Sequence, residues 1–402
     1  MPKFPTLRTA VLFTVVLASC QDAPTATTPA ADDDPAFSRT PEQAQNTQRI
    51  PGSYIVVFKD DVADDPTALA DELLSKGGGR KRHQFKVALR GFAAELPAAA
   101  VSAIANHPKV AYVEEDQVMR ASTTQSNATW GLDRLNQRSM PLDGSFTYTY
   151  TGSGVRVYII DTGLDAAHAE FEGRASNVYD ALGGNGNDCN GHGTHVGGTV
   201  GGRLYGVAKQ ALLRGVRVLG CDGSGSTSGI IAAIDWIRIN RISPAVANMS
   251  LGGGYSASLN TAVTNLANSG VFVAVAAGNE NQNACNVSPA SAAAAFTTAA
   301  STSVDAKASY SNFGSCVDAY GPGSGITSAW IGSGTTETNT ISGTSMASPH
   351  VAGVSALVKH RYGDITSASV TNYLKSAGTS GLITGNPSGT PNLLLYKYIS
   401  AW

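Results

Sequence analysis

The apolar positions divide the first third of the chain into two regions. Residues 21–48 contain Thr, Pro, Ala and Asp but almost no large apolar side chain, so they cannot bury enough surface to fold and predict a disordered linker. From Gly52 onward the run GSYIVVFKDD predicts a strand, and DPTALADELLSKGGG keeps helical spacing until its glycines. The pattern continues to about Arg120 as strand, helix, strand, strand, helix, strand. It predicts a small α+β unit.

Beyond Trp130 the predicted strands are apolar along their whole length. GVRVYIID and VFVAVAAGN alternate with the helical stretches SGIIAAIDWIRIN and SASLNTAVTNLANSG. Continuously apolar strands are buried on both faces, and alternation with helices is typical of a parallel sheet. This region therefore predicts a doubly wound α/β body with a mainly parallel sheet flanked by helices, which extends through the C-terminal PNLLLYKYISAW.

Composition narrows the class of protein. The 402 residues are 42% apolar, and the formal net charge is −2. These values are typical of a soluble globular enzyme and disfavour a fibre or a disordered chain. Because the sequence contains no basic patch, we expect no nucleic-acid partner.

The N-terminus has the pattern of an export signal. Lys3 and Arg8 precede an apolar run over residues 11–18 that is too short to span a bilayer. The segment ends in Leu-Ala-Ser-Cys, which resembles the lipobox of bacterial lipoproteins and would make Cys20 a lipidated N-terminus. Residues 1–20 thus predict a signal peptide with a lipobox and a secreted protein whose precursor is anchored to a membrane. The alternative is an ordinary secretory signal with a chance cysteine.

The other four cysteines form an even set without a CxxC element. This disfavours zinc and favours two disulfides formed in an oxidising compartment, with four buried thiols as the alternative. They are Cys189, Cys221, Cys285 and Cys316.

Two candidate catalytic groups occur where predicted elements meet. Asp161 ends the strand VRVYIID, which places it at the carboxyl edge of the sheet, where α/β proteins gather their chemistry. His192 and His195 begin a small-residue helix in DCNGHGTHVGG, and a helix N-terminus favours a neutral imidazole that can accept a proton. Taken singly, the aspartate could be a helix cap and the histidines could be packed in a turn. The histidine pair could bind metal, but it lacks the glutamate of HExxH.

Two further groups complete a candidate site for acyl transfer. Ser345 in SGTSMASPHVAG opens a predicted helix, with Pro349 expected in its first turn, so its own N–H would be free to bind an oxyanion. Asn279 follows a predicted strand end in VAAGNENQNAC and could supply a second donor. The chain order of Asp161, His192 and Ser345 is the order known from subtilisin and differs from that of α/β-hydrolases.

Five segments together resemble a known family. IIDTG, NGHGTHVGGTV, MSLGG, AAGN and SGTSMASPHVAG closely resemble the signature segments of the subtilisin superfamily, nearest to the proteinase K-like branch and its aqualysin-type bacterial proteases. The resemblance implies a subtilisin-like peptidase domain over residues 122–402. It also implies that residues 49–121 form a ferredoxin-like inhibitory propeptide, which serves as intramolecular inhibitor and folding template. Cleavage between about Met119 and Thr124 would release the mature enzyme.

The resemblance implies a secreted serine endopeptidase made as an autoprocessed zymogen. Asp161, His192 and Ser345 would form the triad, Asn279 would stabilise the oxyanion, and His195 would be structural. Protein and peptide substrates would pair through their backbone with two segments, and a third segment would line a pocket for large apolar or aromatic P1 side chains, which gives broad specificity. The expected substrate-binding residues are Gly223, Ser224, Gly225, Ser250, Leu251, Gly252, Gly253, Ala276, Ala277 and Gly278.

The resemblance further pairs Cys189 with Cys221 and Cys285 with Cys316. It implies no cofactor for catalysis and a monomer.

Structural calcium is also implied by the resemblance. Asp318 would bind the ion together with the carbonyls of Ala293 and Ala295. The resemblance also offers a second candidate site near Asp133, but Asn136 stands where a related enzyme has an aspartate, which counts against it.

Two readings from other classes remain open. One is a catalytically silent, subtilase-like binding protein. The other is a metal hydrolase that uses His192 and His195.

Overall fold

A computed structural model describes residues 49–117 and 123–398. The predicted signal peptide with Cys20 and the predicted linker lie outside these residues, as does most of the predicted cleavage segment. Within the described ranges, no helix combines the length and the apolarity needed to cross a membrane.

The N-terminal unit has the predicted order of strands and helices. Its antiparallel sheet has the strand order β2-β3-β1-β4, and both helices pack against it around Val56, Phe58 and Phe92. Asp65 caps the first helix by accepting hydrogen bonds from two backbone N–H groups of its first turn. The elements are β1 (Arg49–Phe58), α1 (Pro66–Gly77), β2 (Arg80–Phe85), β3 (Gly91–Glu95), α2 (Ala98–Ala105) and β4 (Val110–Gln117).

The large unit is built on a nine-stranded, mainly parallel sheet. Its strand order is β18-β19-β15-β14-β12-β10-β7-β9-β8, and only the pairing of the short β18 with β19 is antiparallel. The strands are β7 (Arg156–Asp161), β8 (Ala175–Asp180), β9 (Leu212–Arg217), β10 (Ala245–Met249), β12 (Phe272–Ala276), β14 (Phe296–Ser301), β15 (Ala319–Pro322), β18 (Thr379–Ser380) and β19 (Leu393–Leu394).

Helices cover both faces of this sheet, which explains why its central strands are apolar throughout. On one face α5 and α6 pack on a core that includes Ala247, Met249 and Val273. On the other face α4 and α7 contact the central strands. The helices are α3 (Trp130–Leu135), α4 (His192–Gly201), α5 (Thr227–Asn240), α6 (Ala257–Asn268), α7 (Thr344–Tyr362) and α8 (Ser367–Ala377). The predicted doubly wound architecture is confirmed.

Three two-stranded ladders complete the described fold. They are too short to give a periodic signal in the sequence. They pair β5 (Thr123–Ser126) with β6 (Ser145–Tyr148), β11 (Gly253–Gly254) with β13 (Val287–Ser288), and β16 (Ile326–Ala329) with β17 (Thr338–Ile341).

Two disulfides link loops around the sheet. Cys189 is bonded to Cys221 across a separation of 32 residues, and Cys285 to Cys316 across 31 residues. The pairing is the one that the resemblance implied. The first bond ties the loop before α4 to the loop after β9.

The start of α7 corrects one expectation. The helix begins at Thr344, so Pro349 lies in its second turn and not in its first. Proline has no backbone N–H, so it cannot make the helical hydrogen bond to the carbonyl of Ser345, four residues earlier. That carbonyl is therefore open to another donor.

Candidate active site

The carboxyl edge of the central strands carries the predicted catalytic groups. Asp161 is the last residue of β7, and Asn279 follows the end of the nearby β12. Parallel strands present their carboxyl ends at the same edge of a sheet, so these groups share it. Hydrogen bonds join the first residues of α4 and α7 to the two groups: His192 bonds Asp161, and Thr344, next to Ser345, bonds Asn279.

Asp161 and His192 form a close pair. His192 Nδ1 lies 2.7 Å from Asp161 Oδ1, which also accepts the N–H of Thr162 at 2.8 Å. Asp161 is fully buried, whereas 23% of the histidine side chain is exposed. Burial lowers the pKa of His192, but the charge and hydrogen bond of Asp161, helped by Asp188, outweigh it, and the pKa is raised above its usual value. The carboxylate therefore holds Nδ1 and leaves Nε2 as the nitrogen that can take a proton.

Asp188 fixes the loop that leads into α4, a role that sequence reasoning missed. Its Oδ1 accepts the N–H groups of Asn190 and Gly191 and the hydroxyl of Thr162, each at 2.9 Å. Its Oδ2 accepts the N–H and hydroxyl of Thr194. An aspartate just before a predicted helix is a known capping signal that could have indicated it.

Gly191 cannot carry a side chain in this loop. Its φ is 104°, and an added Cβ would lie 2.4 Å from the ring of Trp330. The glycine therefore allows the indole to pack directly against the loop that precedes His192.

Ser345 lies in the first turn of α7. Its Oγ donates to the carbonyl of Ser250 at 3.2 Å, and the Ser250 hydroxyl donates to the Ser345 carbonyl at 2.7 Å. The two serines thus exchange hydrogen bonds across the edge of the sheet. To attack a substrate, the Ser345 hydroxyl has to rotate away from this carbonyl.

The orientation of the Asn279 amide is fixed by Thr344. Asn279 Oδ1 accepts the N–H of Thr344 at 2.8 Å and its hydroxyl at 3.0 Å, and that hydroxyl in turn accepts the N–H of Gly278 at 3.0 Å. Because the amide oxygen is occupied, Nδ2 is the end of the side chain that can donate to a substrate.

His195 lies apart from this pair. It is fully buried, its Nε2 bonds the carbonyl of Ile326 at 3.0 Å, and burial lowers its pKa to about 4. In residues 49–117 and 123–398 no three His, Cys, Asp or Glu side chains come close enough to hold a metal together. The arrangement gives no support to a metal site built on His192 and His195.

Two cavities meet along the glycine-rich segment after β10. The first, of about 490 Å³, contains His192 and the predicted Gly223, Ser224 and Gly225 on its walls. The second, of about 380 Å³, contains Ser345, Asn279, Ala276 and Gly278. Leu251, Gly252 and Gly253 line both cavities, and Ser250 lines the first. Because they share these walls, the two cavities form one cleft, with His192 in its first part and Ser345 and Asn279 in its second.

Two residues in the second cavity's neighbourhood differ from expectation. Ala277, predicted to line the P1 pocket, is fully buried in the core and lines neither cavity. Glu280, which was not predicted, does line the second cavity. Its Oε2 accepts the N–H of Asn279 at 3.0 Å and the side-chain amide of Asn312 at 2.8 Å. The wall therefore includes a carboxylate directly beside Asn279.

The first predicted calcium site does not fit the ion as arranged. Asp318 Oδ1 pairs with Lys375 Nζ at 2.7 Å, and its Oδ2 accepts the N–H of Thr297 at 2.7 Å. Calcium takes six to eight oxygen ligands, and here an ammonium already neutralises the carboxylate.

The second predicted site retains unpaired oxygens. Asp133 is 2% exposed, and its Oδ1 has no hydrogen-bond partner in the described part of the chain, nor does the buried Oδ1 of Asn136. Burial, together with the charge of Asp143, raises the pKa of Asp133. Buried carboxylate and amide oxygens without partners are costly unless a cation binds them, so this set fits calcium.

Comparisons with known proteins cover both units. The subtilase family profile matches residues 152–391, and that of peptidase inhibitor I9 matches residues 53–122. An extracellular serine proteinase of Thermus sp. (strain Rt41A) is 49% identical over 370 residues, which are 87% of this chain and 90% of the relative. Proteinase R of Parengyodontium album is 43% identical over 358 residues, with the same two coverages of 87% and 90%. The crystal structure of a cold adapted subtilisin-like serine proteinase aligns with a TM-score of 0.66 and 50% identity, covering 68% of this chain and 99% of that one.

Proposed function

The chain belongs to the subtilase family, and we propose that it is a secreted serine endopeptidase in which Asp161, His192 and Ser345 act as the catalytic triad. The observation that carries the proposal is the 2.7 Å hydrogen bond between Asp161 and His192 at the edge of the cleft that Ser345 also lines. A silent binding protein would have no need of a buried aspartate that raises the pKa of a cleft histidine.

The chemistry follows from these groups. His192 Nε2 takes the proton of the Ser345 hydroxyl as Oγ bonds to the carbonyl carbon of the substrate. Asp161 holds the ring through Nδ1 and stabilises the imidazolium that forms. The developing oxyanion accepts hydrogen bonds from Asn279 Nδ2 and from the backbone N–H of Ser345. His192 then gives its proton to the leaving amine as the C–N bond breaks. Water next attacks the acyl carbon while His192 takes a proton from it, and His192 returns that proton to Ser345 Oγ as the acyl C–O bond breaks.

Substrates are proteins and peptides that pair through their backbone with Gly223–Gly225 and Ser250–Gly253. Pairing of this kind gives affinity with little side-chain choice, so specificity is broad. The pocket beside Ala276 and Gly278 accepts large apolar or aromatic P1 side chains. The carboxylate of Glu280 at its wall adds tolerance for a P1 lysine or arginine, a preference that the sequence did not suggest.

The N-terminal unit is the inhibitory propeptide, a role supported by its match to peptidase inhibitor I9. Self-cleavage falls between about Met119 and Thr123, because Thr123 begins a strand that is paired with β6. We further propose that the mature enzyme is monomeric, and that lipidation of Cys20 would anchor only the precursor.

Calcium serves stability and takes no part in the reaction. Asp133, Asn136 and Asp143 would hold the ion, and its charge would offset the repulsion between the two carboxylates. Asp318 would bind calcium only if Lys375, whose side chain is 47% exposed, moved away.

A serine-directed fluorophosphonate tests the function. It should label Ser345 alone, found by mass spectrometry of the digested protein, and abolish casein hydrolysis, while the Asp161→Asn variant should label far more slowly. Full casein hydrolysis after stoichiometric labelling at Ser345 would exclude the proposal.

A further inference from the structure

A chain of buried hydrogen bonds joins the end of β10 to the first two turns of α7. Ser348 Oγ donates to Asn248 Oδ1 at 2.7 Å, Asn248 Nδ2 donates to Ser250 Oγ at 2.9 Å, and Ser250 Oγ donates to the carbonyl of Ser345 at 2.7 Å. Asn248 and Ser348 are 0% exposed, and Ser250 is 3% exposed. At this depth each bond that is lost leaves a buried polar group without a partner.

The position of Asn248 in its strand directs it towards α7. Side chains alternate between the two faces of a strand, and the neighbouring Ala247 and Met249 belong to the core beneath α5 and α6. Asn248 therefore points to the opposite face, where its Oδ1 accepts the hydrogen bond from Ser348 Oγ. A fully buried asparagine in the middle of a sheet is costly, and the other four residues of this strand are all apolar and buried.

Pro349 explains why the Ser345 carbonyl needs this network. In a regular helix that carbonyl would accept the N–H of residue 349, but proline has none. The Ser250 hydroxyl takes the place of the missing donor. The first turn of α7 is thus held by the segment after β10 as well as by its own helix.

The segment Ser250–Gly253, which follows β10, is the one proposed to pair with the substrate backbone. Ser345 is proposed to supply the attacking oxygen and an oxyanion donor. Given the proposed function, we propose that Asn248 is a positioning residue, which fixes the distance between the substrate-binding segment and the nucleophile through Ser250. It touches neither the substrate nor the reacting atoms. Misplacement by about 1 Å can cost about 10²-fold in rate, so a small relaxation here has a measurable effect.

The first test replaces Asn248, whose side chain accepts a hydrogen bond from Ser348 and donates one to Ser250. In the processed Asn248→Ala enzyme, kcat for a tetrapeptide amide should fall by about 10-fold or more, while KM stays within about three-fold. The acid limb of the pH profile should keep its midpoint, because the Asp161–His192 pair is untouched. Asn248→Asp in its ionised form keeps an oxygen that accepts from Ser348 but cannot donate to Ser250, so at a pH where it is ionised it should behave like the alanine variant.

Ser250→Ala gives an independent test, which decides the matter if the Asn248 variants fail to fold. Removal of this hydroxyl frees the Ser345 carbonyl and should lower kcat to a similar extent. The double variant should be no worse than either single variant, because all of them break the same chain of bonds.

Ser348→Ala and Ser355→Ala are a matched pair on α7. Both serines are fully buried donors, but Ser355 donates to the carbonyl of Val351 within its own helix. Ser348→Ala should lower kcat, and Ser355→Ala should leave it unchanged. The inference is overturned if Asn248→Ala and Ser250→Ala lower Tm but keep the wild-type kcat at 25 °C. Failure of the wild-type enzyme to cleave the peptide would instead overturn the proposed function.

Discussion

At the scale of single residues, Thr344 decides which end of the Asn279 amide is free to donate, through both its backbone N–H and its hydroxyl. Both groups that bond Asn279 Oδ1 come from Thr344. An asparagine free to rotate would present its oxygen as readily as its nitrogen, and an oxygen would repel the oxyanion. In the proposed mechanism, Thr344 therefore acts on the reaction through Asn279.

Replacement of these residues should reduce turnover by different amounts. Asn279→Ala should lower kcat by about 10²- to 10³-fold, which is the loss typical when one oxyanion-hole donor is removed. Thr344→Val keeps the backbone bond but removes the hydroxyl, so its loss should be smaller, with little change in KM. The measurement is kcat for a peptide amide, with the exposed Thr340→Val as control. Wild-type kcat in Thr344→Val would contradict this role.

In the proposed mechanism, the raised pKa of His192 sets the acid limit of activity. The reaction needs neutral His192, and a pKa above 6.5 keeps the ring protonated up to a higher pH than for an ordinary histidine. The acid limb of kcat/KM should therefore have its midpoint above pH 6.5. In Asp161→Asn the residual activity should have a lower midpoint, because the charge that raises the pKa is gone. A wild-type midpoint at or below pH 6.5 would show that burial outweighs the carboxylate.

The four candidate catalytic residues could be predicted because each stands at a break between elements, and such breaks are visible in the sequence. Glu280 and Ala277 could not be assigned in the same way. Whether a side chain near a strand end faces the cleft or the core depends on the path of the chain after the strand. In this protein the side-chain amide of Asn312 donates to the carbonyl of Ala277, and this long-range bond holds the chain at residue 277 in the core.

At the scale of elements, a buried ion pair joins α3 to the loop between β14 and β15. Arg134 donates to both oxygens of Asp305, at 2.7 and 3.0 Å, and the arginine side chain is 1% exposed. Nothing in the sequence pairs two residues 171 positions apart. Long-range pairs of this kind are the part of the fold that periodicity and motifs could not supply, whereas the strands and helices themselves followed from their apolar pattern.

Removal of one partner of this pair should destabilise the enzyme strongly. Asp305→Ala leaves a buried guanidinium without its counter-charge, which typically costs about 3–5 kcal/mol. The apparent Tm of the processed enzyme, inhibited with a sulfonyl fluoride to prevent autolysis, should fall by roughly 10 °C. The exposed pair of Arg203 and Glu172 is the control, since Arg203→Ala should change Tm little. A fall of less than about 2 °C for Asp305→Ala would contradict this account of the pair.

The side-chain oxygens of Asp133 and Asn136 that lack hydrogen-bond partners in the described structure predict that calcium stabilises the enzyme. Calcium should raise the apparent Tm of the inhibited enzyme, and Asp133→Asn should reduce that gain because one of the two carboxylates is lost. The exposed Asp235→Asn serves as control. An unchanged calcium gain in Asp133→Asn would place the ion elsewhere, and Lys375→Met would then test Asp318.

At the scale of the whole molecule, two lysines are buried against the ring of Phe146, where β6 and the C-terminal segment meet. Lys209 Nζ and Lys397 Nζ lie 5.5 and 5.3 Å from the ring centre. Lys397 also donates to the carbonyl of Thr147 at 2.7 Å on β6. Burial lowers the pKa of each lysine to about 8.

These lysines should make the enzyme more stable in alkali. Their folded-state pKa lies below the ordinary value of 10.5, so the cost of holding a buried ammonium is complete below about pH 8 and disappears as pH rises to 10.5. Lys397→Met keeps the alkyl packing without the charge. It should raise the free energy of unfolding at pH 7 by about 1–3 kcal/mol and flatten its rise between pH 8 and 10.5. Lower stability of Lys397→Met at pH 7 would mean that the bond to Thr147 outweighs desolvation.

The whole chain is a precursor whose two units serve one event, the cut that separates them. The central claim is that Ser345 makes this cut itself. The most direct measurement is to express the full chain beside its Ser345→Ala variant and to follow both by gel electrophoresis and N-terminal sequencing. The wild type should be processed just before Thr123 and digest casein, while the variant should remain an uncut precursor without activity. Self-cleavage by purified Ser345→Ala would contradict the account.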